Sequence, residues 1–359
     1  VRDECVFTTH TPVAAGHDQF DLNMAKSMIG NMLPEFILDD ITFENKLNMT
    51  RLALFFSHYI NGVAKKHGEV SRMMFPGYSI DSITNGVHSA TWVCESFQTI
   101  FDKHITGWRS DPNSLRAASG MDKNKIWNAH MEAKRELINF VNKRYNVGMN
   151  YNDFTIGFAR RQTAYKRPDL LISNPKRLME IADKVGPIQI IYAGKAHPKD
   201  NTGKENIRKI FEVMKKINSK IKMAYIHNYE MSIAKMMVSG VDLWLNTPRR
   251  PMEASGTSGM KAAHNGVPQF STLDGWWIEG CIENITGWSI GSRKSDERKS
   301  DDDADKRDLY DKLETWIIPK FYKDRDNWIR TMRSCIAINA SFFNTNRMIQ
   351  QYVLNAYFI

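Results

Sequence analysis

Short apolar runs that favour β-strands alternate with amphipathic helical stretches through the middle of the chain. The β-prone runs cover residues 154–159, 188–193, 221–226 and 241–245. The helical stretches between them cover residues 165–184, 203–218 and 230–238. Strands that alternate with helices predict βαβ units and a parallel sheet, and hence an α/β fold. Ligands of such sheets bind beyond the carboxyl ends of the strands, so the residues just after each run are the first candidates for a functional site.

The first part of the chain has a different pattern, which is mixed and mostly helical. Residues 45–66 and 122–146 predict two long helices. Residues 147–152 are rich in Gly and Asn and predict a domain junction. A chain of 359 residues is long enough for about two domains. We therefore expect one domain over residues 1–147 and a second over residues 148–359.

Composition and charge restrict the class of protein. Apolar residues make up 42% of the chain and charged residues 25%, as in soluble globular proteins, which excludes intrinsic disorder and collagen-like structure. No apolar run is long enough to span a membrane. The net charge of +9 favours anionic partners such as phosphate, although a basic solvated surface is the simpler explanation. No nucleic-acid-binding motif is present, so we expect no nucleic-acid partner.

The four cysteines, Cys5, Cys94, Cys281 and Cys335, are widely scattered. No CxxC motif or other metal-ligand spacing occurs, so the sequence predicts no metal site. Because disulfides are typical of oxidising compartments, we expect reduced thiols and a cytoplasmic location.

Two candidate anion sites follow predicted strands. Residues 160–167 read RRQTAYKR and place four cations where a strand ends and a helix is expected to begin, so the helix dipole and free N–H groups would add to their charge. Residues 194–198 read GKAHP and bring Lys195 to the next strand end. This spacing is not that of a P-loop, since no Ser or Thr follows the lysine. A solvated basic surface is the alternative for both segments.

The most specific segment is EASGTSGMK, residues 253–261. Its small residues let the backbone approach a ligand closely, and its N–H and hydroxyl groups can bind an anion. Lys261 could pair with a phosphate or, if desolvated, form a Schiff base. The alternative is a Gly/Ser turn with a surface lysine. Near the N-terminus, His10 could hydrogen-bond a polar ligand, although a lone histidine in a Thr-rich loop is more often structural.

A run of charged residues near the C-terminus reads SRKSDERKSDDDADKRD, residues 292–308. Its low complexity and mixed charge predict a solvated loop without a function of its own.

Seven segments together resemble the α-glucan phosphorylase family, and the shorter bacterial and archaeal branch above all. They are FTTHTP, SHYINGVAKKHGEVS, ITNGVHSATW, GFARRQTAYKR, YAGKAHP, GVDLWLNTPRRPMEASGTSGMKAAHNG and LDGWWIEG. They follow the order of the family across nearly the whole chain, and the longest is highly specific. The resemblance implies the GT-B arrangement, in which two Rossmann-like domains face a cleft. It also implies a pyridoxal 5′-phosphate cofactor and the transfer of a terminal α-1,4-linked glucose to orthophosphate, giving glucose 1-phosphate.

The same resemblance assigns roles to individual residues. The residues expected at the cofactor are Lys261, as the Schiff-base lysine, with Arg160, Tyr229, Thr257, Ser258 and Trp92. The expected catalytic residues are Arg161 and Lys166, at the substrate phosphate, and Glu253, at the transferred glucose. The other residues expected at the glucose are Ser255 and Gly256, with His10 and Asn85 near its 6-hydroxyl. The implied partners are the glucan and orthophosphate or glucose 1-phosphate, and a homodimer is one assembly found in the family.

The chain departs from the family pattern in three ways. Glu230 stands where the animal and plant branch carries an arginine, and His264 and Pro268 stand where apolar residues are expected. The Gly-rich loop and the Asp-x-His motif of the family lie upstream of FTTHTP and are not found. We therefore expect the C-terminal part of an incomplete N-terminal domain, followed by a complete C-terminal domain. The competing hypotheses are a nucleotide-sugar glucosyltransferase of the same fold, similar to glycogen synthase, and a non-catalytic glucan-binding fragment.

Overall fold

The structure, a computed structural model, describes residues 1–291 and 301–358. The strands of this part of the chain are β1 (Val6–Thr8), β2 (Gln19–Asp21), β3 (Thr42–Phe43), β4 (Lys46–Asn48), β5 (Tyr59–Gly62), β6 (Asp81–Ser82), β7 (Phe154–Ala159), β8 (Ile188–Ala193), β9 (Lys222–Ile226), β10 (Leu243–Asn246), β11 (Gln269–Thr272) and β12 (Gly287–Ile290).

The helices lie mainly between these strands and at the C-terminal end. They are α1 (Leu22–Ile29), α2 (Leu38–Ile41), α3 (Met49–Phe55), α4 (Lys65–Met74), α5 (Ser89–Trp92), α6 (Glu95–His104), α7 (Lys123–Tyr145), α8 (Pro175–Val185), α9 (Asn201–Ile217), α10 (Met231–Gly240), α11 (Thr257–Ala263), α12 (Trp277–Gly280), α13 (Asp302–Lys312), α14 (Ile318–Lys323), α15 (Arg325–Ser334) and α16 (Thr345–Tyr352). Short π-helical segments cover Leu313–Ile317, Cys335–Ala340 and Val353–Tyr357.

A six-stranded parallel sheet in the order β9-β8-β7-β10-β11-β12 forms the centre of the molecule. The chain enters at β7, moves outward to β9, then returns to β10 and moves outward on the other side. Every residue of β7 and β8 is buried, as expected for strands that helices cover on both faces. The predicted α/β class and parallel sheet are confirmed. The change of direction between β7 and β10 leaves a crevice at their carboxyl ends.

A second, smaller parallel sheet has the order β1-β5-β6, and an antiparallel sheet has the order β2-β4-β3. Residues before position 147 contact residues after it at several places. Phe97 and Ile126 share the largest hydrophobic core with Phe154 of β7. From the C-terminal end, the main-chain oxygen of Ala356 lies 3.0 Å from Nε2 of His58. The expected domain division at residue 147 stays a prediction.

A buried charged cluster joins α7 to the central strands. The carboxylate of Asp242 accepts hydrogen bonds from Lys134 Nζ at 2.5 Å and from the main-chain N–H of Thr155 at 2.8 Å, and it lies 2.9 Å from Nε2 of His130. Lys134 also donates to the main-chain oxygen of Asp153, at 2.7 Å. Since Lys134 and Asp242 are almost fully buried, each charge depends on the other for its stabilisation.

The predicted helix over residues 45–66 is wrong. This segment contains β4, α3, β5 and the start of α4. The residues of β5 read YING, are all buried, and pair with β1 on one side and β6 on the other. Long-range pairing in a sheet therefore outweighs the apolar periodicity that suggested one continuous helix.

The helix predicted over residues 165–184 begins only at Pro175. A 3₁₀ turn covers Ala164–Lys166, and Arg167 then takes a left-handed conformation with φ of 44°. Pro168 follows directly, and proline disfavours the α-helical conformation of the residue before it. The four cations of residues 160–167 therefore do not lie at the start of an α-helix, and the helix-dipole contribution expected there is absent.

Part of the predicted charged loop is also corrected. Residues 292–300 lie outside the described residues, whereas residues 302–308 form the first turns of α13. Asp302 and Asp305 of this helix each lie 2.8 Å from the guanidinium of Arg167. These charges therefore attach α13 to the segment after β7, which is a structural role that composition alone did not indicate.

None of the described helices is both long enough and apolar enough to cross a membrane. All four cysteines are described, and no disulfide links them.

Candidate active site

A cavity of about 350 Å³ lies at the crevice between β7 and β10. Its lining comes from two directions. The central sheet supplies residues that follow β7 and β10, and the smaller parallel sheet supplies residues that follow β1, β5 and β6. The lining residues are His10, Val63, Asn85, Ala159, Arg160, Glu253, Ala254, Ser255, Gly256, Thr257 and Ser258. Strand ends of both parallel sheets therefore meet at one site, and most of the residues predicted for it are brought together.

The turn before α11 depends on glycine. Gly256 has φ of 87°, a left-handed conformation that a residue with a side chain rarely adopts. This turn places Ser255, Thr257 and Ser258 along one wall of the cavity. The Ser255 hydroxyl is buried and has no hydrogen-bond partner within the described chain. A polar group of a ligand would satisfy it.

Glu253 lies between two cations that follow β7. Its carboxylate oxygens are 2.6 and 2.7 Å from Lys166 Nζ, and one of them is 2.9 Å from Arg160. Burial alone would raise the pKa of Glu253, but the charges of Arg160 and Lys166 outweigh it and hold that pKa below its usual value. Burial and the neighbouring Arg160 lower the pKa of Lys166 to about 7. When Lys166 is protonated, its charge and that of Arg160 exceed the charge of Glu253, which suits an anionic ligand.

Asp274 binds the main chain of Glu253 and was not predicted from the sequence as a site residue. Its carboxylate accepts hydrogen bonds from the main-chain N–H groups of Glu253, at 2.8 Å, and Gly275, at 2.9 Å. Burial raises the pKa of Asp274 to about 7, and the negative charge of Glu253 adds to that effect. Its place just after β11, in the segment LDGW, is the sequence signal that could have identified it.

The raised pKa of Asp274 predicts a pH-dependent stability. The folded chain holds this proton more tightly than the unfolded chain, whose pKa is 3.8, so the stabilisation is complete below pH 3.8 and is lost as the pH rises through about 7. Asp274→Asn cannot titrate. Between pH 5 and pH 8 the free energy of unfolding of the wild type should fall relative to that of Asp274→Asn by about 2–3 kcal/mol. Urea denaturation at both pH values measures this, and an unchanged difference would contradict the assignment.

Lys261 lies on α11 beside Trp92. Its Nζ is 3.8 Å from the centre of the Trp92 ring, and burial lowers the pKa of the amine. A lysine with a lowered pKa is more often neutral, and a neutral amine is the nucleophilic form. This environment differs from the surface lysine that was the alternative at this position.

Arg160 has two guanidinium nitrogens, Nε and one terminal nitrogen, that are buried without a hydrogen-bond partner in the described chain. Burial raises the pKa of the Tyr229 phenol to about 12, and the nearby charge of Arg160 opposes that shift. Unpaired buried N–H groups are costly, so they favour an anion at this position.

Two of the predicted cations, Arg161 and Lys195, do not line the cavity. Arg161 is exposed and does not line the cavity. Lys195 is also exposed, and its main-chain oxygen accepts a hydrogen bond from Gln162 N–H at 3.0 Å. Within the described residues, no group of three or more His, Cys, Asp or Glu side chains could hold a metal ion.

Two of the residues that depart from the family pattern, His264 and Glu230, make hydrogen bonds within the described chain. His264 is buried, and its two ring nitrogens lie 2.9 Å from the Ser89 hydroxyl and 2.8 Å from the main-chain oxygen of Met260. Burial lowers the pKa of His264 to about 4, so the ring is neutral near pH 7. Glu230 is exposed and accepts a hydrogen bond from Ser232, at 2.7 Å.

Comparison with known proteins gives one consistent family. The family described as carbohydrate phosphorylase matches residues 17–290. Maltodextrin phosphorylase of Thermococcus litoralis is 39% identical over an alignment that covers 98% of this chain and 46% of that protein. Glycogen phosphorylase of Aquifex aeolicus is 33% identical, with 99% of this chain and 57% of that protein covered. Glycogen phosphorylase of Mycobacterium tuberculosis is also 33% identical, with 99% and 47% covered.

The chain thus spans about half the length of the curated relatives it matches. The match includes Arg160 after β7 and the Gly-rich turn before α11, which line the cavity, and it also includes Lys261. From its sequence match and from the site built by the matching residues, the chain belongs to the carbohydrate phosphorylase family.

Proposed function

We propose that this chain forms the phosphate- and cofactor-binding part of an α-1,4-glucan phosphorylase. The reaction would transfer a terminal α-1,4-linked glucose to orthophosphate and release glucose 1-phosphate. The observation that carries this proposal is the Glu253 carboxylate, held between Arg160 and Lys166 in a cavity that also receives His10 and Asn85 from a second sheet. The wall that Arg160 lines then suits phosphate, and the wall that His10 and Asn85 line suits a sugar.

We also propose the GT-B arrangement, with residues 1–147 belonging to an N-terminal domain and residues 148–359 forming the C-terminal one. The support is that two separate parallel sheets direct their carboxyl ends to one cavity. The cytoplasmic location and a homodimer remain predictions of the same kind.

The residues present fit pyridoxal 5′-phosphate. Lys261, with its lowered pKa and its contact with Trp92, would hold the cofactor covalently. The unpaired N–H groups of Arg160, together with Thr257, Ser258 and Tyr229, would hold its phosphate. When bound, the cofactor would supply a phosphate group that exchanges a proton with the substrate phosphate.

The chain's own residues would bind and orient the substrates. Two phosphate groups side by side repel each other, so the charges of Arg160 and Lys166, with Arg161 nearby in sequence, would offset that repulsion. A bound phosphate would favour the protonated form of Lys166, whose pKa near 7 lets the Nζ proton respond to the charge beside it. Glu253 would accept a hydrogen bond from a hydroxyl of the glucose, Ser255 and Gly256 would line its binding site, and His10 and Asn85 would contact its 6-hydroxyl.

The test is the release of glucose 1-phosphate from maltoheptaose and orthophosphate, by this chain or by a longer polypeptide that contains it. Lys166→Ala should lower the rate by about 10²–10³, the usual loss when one transition-state contact is removed, while the cofactor content stays unchanged. Lys176→Ala, at an exposed position of α8, is the matched control and should keep the rate. A rate of Lys166→Ala within about twofold of the wild type would reject the phosphate role. Glucose transfer from a nucleotide sugar instead would favour the glucosyltransferase hypothesis.

A further inference from the structure

The loop that carries Asn85 is held by the C-terminal helix α16. Arg347 of that helix donates hydrogen bonds to the main-chain oxygen of Thr84, at 2.6 Å, and to that of Asn85, at 3.0 Å. The Arg347 side chain is mostly buried, with 8% of its surface exposed. Its planar guanidinium therefore ties two adjacent carbonyl groups to one rigid element.

Arg347 is itself held by residues of α16 and of the segment just before it. It also donates to the main-chain oxygen of Phe342, at 3.0 Å, and to the side chain of Gln351, at 2.7 Å. Its main-chain N–H donates to the side chain of Asn344, which caps α16. A guanidinium held at four points has little freedom, so the position of α16 is transmitted to the loop.

The backbone of the loop also forms hydrogen bonds with residues at the start of α16 and just before it. Val87 N–H donates to the main-chain oxygen of Phe343, and Thr345 N–H donates to that of Val87, both at 3.1 Å. Gly86 lies so close that a Cβ atom there would come within 2.1 Å of the Asn344 main-chain oxygen. Only glycine permits this approach without a shift of the backbone.

The loop is also held from the side of the central sheet. The Thr84 hydroxyl lies 2.8 and 2.9 Å from the two carboxylate oxygens of Glu279 in α12. The loop is thus fixed on two sides, and Asn85, between these supports, lines the cavity.

We propose that Arg347 is a positioning residue that sets the place of the Asn85 side chain in the cavity, and through it the recognition of the sugar. The part of this inference that concerns the sugar rests on the proposed function. The part that concerns the loop does not, since it follows from contacts within the chain.

Hydrogen exchange of the whole chain tests the loop directly. In Arg347→Met the amides of residues 84–87 should exchange on the order of tenfold faster, because two hydrogen bonds to their backbone are lost. Arg347→Lys should give an intermediate increase, since one ammonium cannot reproduce the planar pair of bonds. Gln350→Met, an exposed change on the same helix, should leave the loop unaffected. Unchanged exchange in residues 84–87 of both Arg347 variants would overturn the proposal.

A specificity measurement separates positioning from general damage. Glucose 1-phosphate should be preferred over its 6-deoxy analogue as a glucosyl donor, and Arg347→Lys should reduce that preference severalfold towards the value of Asn85→Ala. A merely structural role would lower both rates equally and leave the ratio unchanged, which would reject the positioning role. If neither this chain nor a longer polypeptide that contains it uses either compound, the proposed function fails, and hydrogen exchange alone decides the role of Arg347.

Discussion

Lys261→Ala should abolish the covalent incorporation of pyridoxal phosphate. In the wild type, incubation with the cofactor and reduction with borohydride should label one peptide, and that peptide should contain Lys261. The physical reason is the environment of its amine, which burial holds at a lowered pKa beside the Trp92 ring. A partly desolvated amine is a better nucleophile near neutral pH than an exposed lysine. Peptide mapping by mass spectrometry measures the result.

Lys195→Ala provides the control for this experiment. Lys195 also follows a strand of the central sheet, but it is exposed, so its replacement should leave the label on Lys261. Persistent specific labelling of Lys261→Ala, or a label in the wild type on a different lysine, would contradict the assignment. A folded wild type without any label would leave two explanations, an incomplete cofactor site in this chain or the glucosyltransferase hypothesis, and the same labelling of a chain extended upstream would separate them.

Asp242→Ala should lower the free energy of unfolding by about 3–5 kcal/mol, because it leaves the buried ammonium of Lys134 without its counter-charge. Burial already lowers the pKa of Lys134, although Asp242 opposes that effect. Without Asp242 the lysine should become neutral more readily in the folded state. The loss should therefore be largest at acidic pH and become smaller as the pH rises, which urea denaturation at pH 6 and pH 9 can measure.

Asp326→Ala is the matched control for the buried pair. Asp326 lies 2.6 Å from Lys123 Nζ, but its side chain is 73% exposed. Solvent screens such a pair, so its removal should cost less than about 1 kcal/mol. If Asp242→Ala were no more destabilising than Asp326→Ala, the buried cluster would not have the structural role assigned to it.

Four of the six strands of the central sheet were predicted from the sequence, whereas β11 and β12 were not. The runs at 154–159 and 188–193 are the strands β7 and β8 to the residue, and the run at 221–226 differs from β9 by one residue. These strands are buried on both faces, so their sequences are almost uniformly apolar and the pattern is strong. The segment EASGTSGMK was equally informative, because its glycines serve a particular backbone geometry at Gly256.

Predictions failed where distant parts of the chain decide the local structure. The strand β5 looks helical in sequence and is a strand because β1 and β6 lie on either side of it. Asp274 lies in the segment LDGWWIEG, but its role depends on the N–H group of Glu253, 21 positions away in the sequence, and on that of Gly275.

The amino-acid sequence therefore indicates the α/β class, four of the six strands of the central sheet and the segments that supply the candidate site. The three-dimensional fold sets which of these segments meet in one cavity, and what holds them there. The contact of Arg347 with Asn85 joins residues that are 262 positions apart. Local patterns record the conformational preference of neighbouring residues, whereas such a contact depends on how the strand order brings two distant segments together.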